Sequence, residues 1–285
     1  MDNVKKGLLD LLLSPTFLAM VALAIVFLIV RRWLNFRTHR RTRAEQVAAL
    51  TPLADSIGGQ VIAPGGDTAA WSAGVRGPVV EHVEGFFATL LRRSKPRWDL
   101  ALDVQRGQWH VRVTEASVRV SNPAGYGVKW VQEHRIEVAT ARMAPMRIIR
   151  PSKYTSSGNP LTPEQIERLW TGFVSKPPST AQNDHVEWHR VRLAPPMDQE
   201  FFAYGSDPAA ASRELNFDAL HWLLDRENDL PVEASRLRLT FESGFVYIVL
   251  SDHIEPDQLM GVVDTICGLL DRMPGARPRH PAAAV

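Results

Sequence analysis

The side chains from which a metal or nucleophilic centre would be built are nine histidines, one cysteine and 31 acidic residues. The tightest grouping is His185-Val186-Glu187-Trp188-His189. It is not the zinc-protease pattern, which needs H-E-x-x-H on a helix. Alternation of Val186 and Trp188 with polar neighbours predicts a strand, which puts His185, Glu187 and His189 on one face. Residues two apart on a strand are about 6.8 Å apart and can chelate together. The two histidines, four apart, are too far separated for one ion. The plainer reading is a solvated polar face over a Val186/Trp188 core face. His185, Glu187 and His189 are therefore weak metal candidates, and no metal or other cofactor is expected.

Other groups are more dispersed. His110 and His134 sit among strand residues, and His221 stands beside Trp222 on an amphipathic stretch. Asp252-His253 follows an apolar strand at its C-terminal end, a place where a site can form. Cys267 lies inside LMGVVDTICGLL and reads as a small buried hydrophobe. No G-x-S-x-G elbow is present. GGQVIAPGGD has paired glycines without G-K-[ST], so it is not a phosphate loop but a short strand between turns. No catalytic residue is assigned.

The elements that would position these groups follow from periodicity. Residues 44–57 predict a helix ended by Gly58-Gly59. Val79, Val80, Val83, Phe86, Phe87, Leu90 and Leu91 share one face of a second helix. Apolar residues then alternate at Trp98, Leu100, Leu102 and Val104, and again at Trp109, Val111 and Val113, predicting a hairpin across Gln105–Gln108. Val118 and Val120 suggest a third strand, and 128–138 a fourth. Residues 142–199 hold eight prolines and read as an irregular insertion. Within it, Thr162-Pro163-Glu164-Gln165 opens a short helix with a capping box. Trp170, Phe173 and Trp188 there are candidates for an interaction surface, and the rival reading packs Ile166, Leu169, Trp170 and Phe173 onto the body. From residue 200 the pattern is regular: a strand at FFAY, a helix from Asp207-Pro208, a helix through Phe217 and Leu224, a hairpin turning at Ser243-Gly244, an apolar central strand 245–250, and a helix over 256–273.

The order predicts an α+β fold with mainly antiparallel sheet and packed helices. It follows a single N-terminal transmembrane helix. Residues 11–30, LLLSPTFLAMVALAIVFLIV, carry no charge, and twenty residues span about 30 Å of bilayer core. Trp33 falls where an interfacial aromatic sits. Arg31, Arg32, Arg37, Arg40, Arg41 and Arg43 follow at once, against Lys5 and Lys6 on the other side. The positive-inside rule then places the N-terminus outside and the body in the cytoplasm, at the plasma membrane. A lone cysteine suits that compartment. The same arginines suit anionic lipid headgroups. From Ala44 onward 25 basic residues face 29 acidic ones, so the body is slightly acidic and no nucleic-acid partner is expected. The predicted layout is 1–10 outside, 11–34 spanning, 35–57 a basic juxtamembrane segment and helix, 58–273 the body, and 274–285 a disordered tail.

The stretch FFAYGSDPAAASRELNFDALHWLLDRENDLPVEASRLRLTFESGFVYIVLSDHIEPDQL joins a strand with a Y-G-S-D-P step, a helix, and an L-x-F-x-x-G-x-V-Y-I hairpin leading into a long helix. Over residues 200–273, and in the anchor layout, it resembles a family of bacterial membrane-anchored proteins of unknown function. The resemblance implies a cytoplasmic α+β domain at the membrane and carries over no functional residues. The resulting expectation is a single-pass accessory or scaffold protein with a protein partner, in a membrane complex. The alternative is a membrane-tethered hydrolase whose histidines and carboxylates are gathered by the fold.

Overall fold

Gly58 adopts φ +67°, the left-handed conformation that ends a helix. Gly59 then donates its N–H back to the carbonyl of Ala54 at 2.8 Å, closing the helix of residues 41–57 (α1) as its sequence predicts. The structure is a computed structural model. It describes residues 41–78, 95–121, 128–155, 158–174, 188–226 and 237–280, with Leu23, Val26, Phe27, Val30 and Leu230 singly. The chain divides into two compact units, 1–48 and 49–285. Residues 1–10, the predicted helix at 79–91 and most of the run 11–34 lie outside the described residues. The four described residues of that run are helical, with 47–73% of their surface exposed. Among the described residues no helix is long and apolar enough to cross a membrane.

The second unit is built on one antiparallel sheet. Its described strands are β1 (Gln60–Ile62), β2 (Arg97–Arg106), β3 (Trp109–Ser121), β4 (Val128–Ala139), β5 (Met146–Ile149), β6 (His189–Arg190), β7 (Phe202–Gly205), β8 (Arg238–Glu242) and β9 (Phe245–Ser251). Their order is β1-β2-β3-β4-β9-β8-β5-β7-β6, which puts the apolar strand β9 in the middle. Both faces of β9 carry buried side chains, Val246 and Ile248 on one and Tyr247 on the other. Ser243 and Gly244, at φ +54° and +85°, make the tight turn that sets the β8–β9 register. The α+β class and the antiparallel sheet agree with the sequence reading.

Four features depart from it. The expected second and third strands are one, β3. The polar stretch Thr114–Ser117 that separates them in sequence is buried and stays in the ladder. Residues 142–199 are not an irregular insertion throughout, because β5 slots between β8 and β7 and is buried at all four positions. Arg147 hides that strand from a periodicity search. Trp188 is only 3% exposed and packs with Ile149, Phe202, Tyr204 and Ile166, so it belongs to the core, not to an exposed contact surface. Residues 274–280 of the predicted disordered tail pack on the body: Ala141 N–H meets the carbonyl of Arg277 at 2.7 Å, and Gly275 N–H meets Glu214 at 2.6 Å.

Three helices open on caps that their sequences carry. In α2 (Pro163–Val174), Gln165 N–H donates to Thr162 Oγ1 at 3.3 Å, and Thr162 N–H donates to Gln165 Oε1 at 2.9 Å. A short helix α3 (Met197–Glu200) leads into β7. Asp207 caps α4 (Pro208–Glu214) by accepting from Ala209 and Ala210. Asn216 caps α5 (Phe217–Arg226) through Ala219 N–H at 2.8 Å. The last helix, α6 (Pro256–Leu270), buries Leu259, Val262, Val263, Ile266, Leu269 and Leu270. It contacts α5 and β4. Each such side chain withdrawn from water contributes about 1.5–3 kcal/mol.

Trp188→Ala should lower the stability of the full-length protein by about 3–5 kcal/mol in a denaturant titration, the cost of emptying an aromatic core position. A change within 0.5 kcal/mol would mean that Trp188 is not packed as described.

Candidate functional site: a buried charged row and a histidine–carboxylate cluster

Alternation along β2, β3 and β4 sends Leu102, Val111, Val113, Ile136 and Val138 to one face, beneath α6. The opposite face receives a polar residue from every strand in direct register. Gln60, Asp103, Arg112, Glu137, Tyr247, Thr240, Arg147, Tyr204 and Arg190 form one line across the sheet. Its middle is sealed from water: Arg112, Glu137, Tyr247, Thr240 and Arg147 are all buried. Buried charges persist only when paired and hydrogen-bonded.

The segment 67–77 supplies the missing partners. A 3-10 turn at Trp71–Gly74 points its first N–H groups at Glu137, from Trp71 at 2.6 Å and from Ser72 at 3.1 Å. The Ser72 hydroxyl also donates to Glu137 and accepts from Arg135 Nη1 at 2.7 Å. Arg135, fully buried, further donates to the carbonyls of Arg76 and Gly77 at 3.1 Å each and stands 4.9 Å from the Trp98 ring centroid. Arg112 grips Asp103 with two bonds of 2.7 Å, donates to the Ala69 carbonyl at 2.8 Å, and stacks 5.1 Å over Trp71. Burial pushes the Glu137 carboxyl up, against the opposing pull of Arg135 and the Ser72 and Trp71 donors. Burial likewise raises the Tyr247 phenol to about 12, so it stays protonated.

On the helix-covered face, near the β9–α6 loop, histidines and carboxylates do converge. Asp252 takes φ +65°, a conformation Asp tolerates, and the turn aims His253 at β3. His253 Nδ1 lies 2.8 Å from buried Glu115 Oε1, and Ile254 N–H donates to Glu115 Oε2 at 3.3 Å. Glu115 pairs directly with His134, whose Nδ1 is 3.1 Å from the Asp252 carbonyl. A register shift between Trp98 and Leu100 brings buried Asp99 to Ser117, whose hydroxyl donates to it, and to Arg97 at 3.2 Å. In a nucleophilic serine site the hydroxyl proton goes to an imidazole that an acid orients. Here it goes to Asp99, while the imidazole of His253 is bound to a different acid. The bond to Glu115 raises the His253 pKa, opposed by desolvation and aided by Asp252 and Asp99.

The residues singled out from sequence fall elsewhere. His189 opens β6 and is exposed, and His185 and Glu187 lie outside the described residues. Among the described residues no group of three or more His, Cys, Asp and Glu side chains is placed to hold a metal ion. Trp170 and Phe173 lie on α2, and their side chains are outside the described residues. Arg31, Arg32, Arg37 and Arg40 are also outside. Arg41 is on α1, exposed, with an i,i+4 ion pair to Glu45 at 2.8 Å, and Arg43 follows it on the same helix. Cys267 is buried, and burial raises its thiol to about 12, which leaves it unreactive. The sequence pointed to Asp252-His253 but not to Glu115, Asp99 or Ser117. Their only local signal is the polar interruption 114–117 between two apolar strand halves.

The class these features define is an α+β protein on a single antiparallel sheet with a buried charged face. No protein-family model matches the chain, and neither a curated protein nor a solved structure does.

Glu137→Gln keeps the side-chain volume but removes the buried carboxylate that accepts from Trp71 and Ser72 and faces the charge of Arg135. It should destabilise the full-length protein by about 3–5 kcal/mol in chemical denaturation, whereas a neutral result would show that the row is not sealed. The sign for His253 runs the other way from that of a paired acid. Its folded pKa is raised, so its stabilising bond is complete below the ordinary value of 6.5 and is lost as pH climbs through the folded value. NMR titration should place the His253 transition above 6.5, and Glu115→Gln should return it toward 6.5.

Proposed function

We propose that this chain is a single-pass membrane-anchored accessory or scaffold protein. Its α+β body binds a protein partner at the cytoplasmic face of the plasma membrane. The observation that carries this is the uncharged run of residues 11–30 ending on six arginines within 31–43, against two lysines before it. That asymmetry is the topology signal of a membrane span with its C-terminal side inside. Leu23, Val26, Phe27 and Val30, the described residues of that run, are helical and carry exposed apolar side chains. Arg41 and its neighbours then lie where anionic headgroups attract them.

Binding is favoured over hydrolysis by the use the body makes of its acids. Glu137 is held by Trp71 and Ser72, Glu115 by His253 and Ile254, and Asp271 by Trp109 and Gln108. Each holds the fold's own donors. The rival, a membrane-tethered hydrolase, rests on the His253–Glu115 and Ser117–Asp99 pairs.

A cytoplasm-active reporter fused after Val285 should be active in cells, and removal of residues 1–34 should release the body from the membrane fraction. Activity of a periplasm-only reporter at that position would reverse the orientation. Retention of the truncated chain in carbonate-washed membranes would remove the anchor. Loss of a hydrolytic activity in both Ser117→Ala and His253→Gln, with folding intact, would move the assignment to the rival.

A further inference from the structure

Residues 277–280 lie along the end of β4. Ala141 N–H donates to the Arg277 carbonyl at 2.7 Å, Pro278 forms an antiparallel bridge with Thr140, and the Arg279 guanidinium lies beside Gly244 in the β8–β9 turn. The next contact is between two imidazoles. The rings of His280 and His110 have centroids 4.1 Å apart and planes tilted by 41°. His280 is exposed, and His110 on β3 is half-buried. An imidazole is the side chain whose ordinary pKa lets its charge change between about pH 5 and 8. Two neutral rings pack well at this separation, whereas two imidazolium ions repel.

Among the described residues neither ring is hydrogen-bonded to a carboxylate that would offset this repulsion. Across the β2–β3 pair His110 faces Gln105, a neutral side chain. Asp103, on the same face of β2, takes two bonds from Arg112, which is two residues along β3 from His110. Glu137 of β4, opposite Arg112, accepts from Trp71 and Ser72. The charged groups of the tail and of its contact with the β8–β9 turn are Arg277, Arg279 and Arg142, all cationic. Burial, and then the charge of His280, push the His110 pKa below the ordinary 6.5. This is the converse of the His253 case. The neutral contact is complete above 6.5 and is lost as pH falls through the value of the packed ring.

We propose that His110 and His280 form a proton-operated latch, which holds residues 277–280 against the end of β4 near neutral pH and releases them when both rings are charged. Release uncovers the Ala141 N–H and the turn at Ser243-Gly244. The pairing of β4 with β3 and β9 does not involve the tail, so the sheet stays closed. The latch is independent of the membrane anchor and of what the body binds.

The test uses the full-length chain in non-ionic detergent. Residue-resolved hydrogen exchange, corrected for the intrinsic rate at each pH, follows the Ala141 amide as reporter of the latch. The Val191 amide, buried and bonded to the Ala203 carbonyl at 2.9 Å, is the reference for the body. From about pH 7.5 to about pH 5, protection of Ala141 should fall about tenfold or more relative to Val191. His280→Phe keeps an aromatic ring against His110 but takes no proton. In that variant protection of Ala141 should stay within about twofold over the same range. The variant should also bring the His110 transition, read by NMR, up toward 6.5. Protection of Ala141 that does not change with pH in the parent overturns the proposal. An equal loss in His280→Phe, or a His110 transition that the variant leaves unmoved, overturns it as well.

Discussion

Arg135 is fully buried in the middle of a sheet, and the fold is arranged around satisfying it. An isolated guanidinium there would be prohibitive, so the chain must bring Ser72 and the carbonyls of Arg76 and Gly77 onto that face. The same segment delivers the Trp71 and Ser72 N–H groups to Glu137 and the Ala69 carbonyl to Arg112. One stretch of about ten residues therefore supplies hydrogen-bond partners to three charged side chains on two adjacent strands, while Asp103 and Glu133 supply the opposite charges for Arg112 and Arg135. Such a network is weak as a source of stability, because desolvation offsets much of the attraction. It is strong as a register lock, because a slip of β4 by one residue against β3 would move Arg135 and Glu137 to the apolar face.

Stability itself comes from the other face. There α6 packs on β4, with α5 against α6, and Val111, Val113, Ile136, Val138, Val246 and Ile248 are all buried. The two faces thus divide the labour, one by apolar burial and one by specific pairing. The far end of the polar face is closed differently, by Ile166 and Trp188 on Ile149, Phe202 and Tyr204. This ties α2 into the body, so a role for that region in recognition has to be played by residues other than Trp188.

The histidine–carboxylate cluster and the His110–His280 contact lie in different surroundings. In the first, Glu115 is committed to the β9–α6 loop, and its coupling to His253 gives that loop a pH-dependent hold on β3. In the second, one imidazole faces another with no acid bonded to either, so a proton weakens the contact where in the first it strengthens it.

The amino-acid sequence by itself determined the local elements: α1 ending at Gly58, the Thr162–Gln165 and Asp207 caps, the hairpin at Ser243-Gly244, the central strand β9 and the helix α6. Each of these depends on residues within a turn or two, where periodicity, cap chemistry and backbone preference act. The class of fold and the pairing of Asp252-His253 with a strand end were legible for the same reason. Only the tertiary structure decided that Arg112, Arg135, Glu137 and Arg147 are interior, that β5 is a strand, that Trp188 is core, and that residues up to His280 pack on the body. Alternating charged residues on a strand read as a solvated face, and whether water or protein covers that face depends on partners far along the chain. Glu137 is satisfied by Trp71 and Ser72, His253 by Glu115, and Asp264 by Arg106. No local pattern encodes those meetings, because the energy that permits a buried charge appears only when its distant partner arrives.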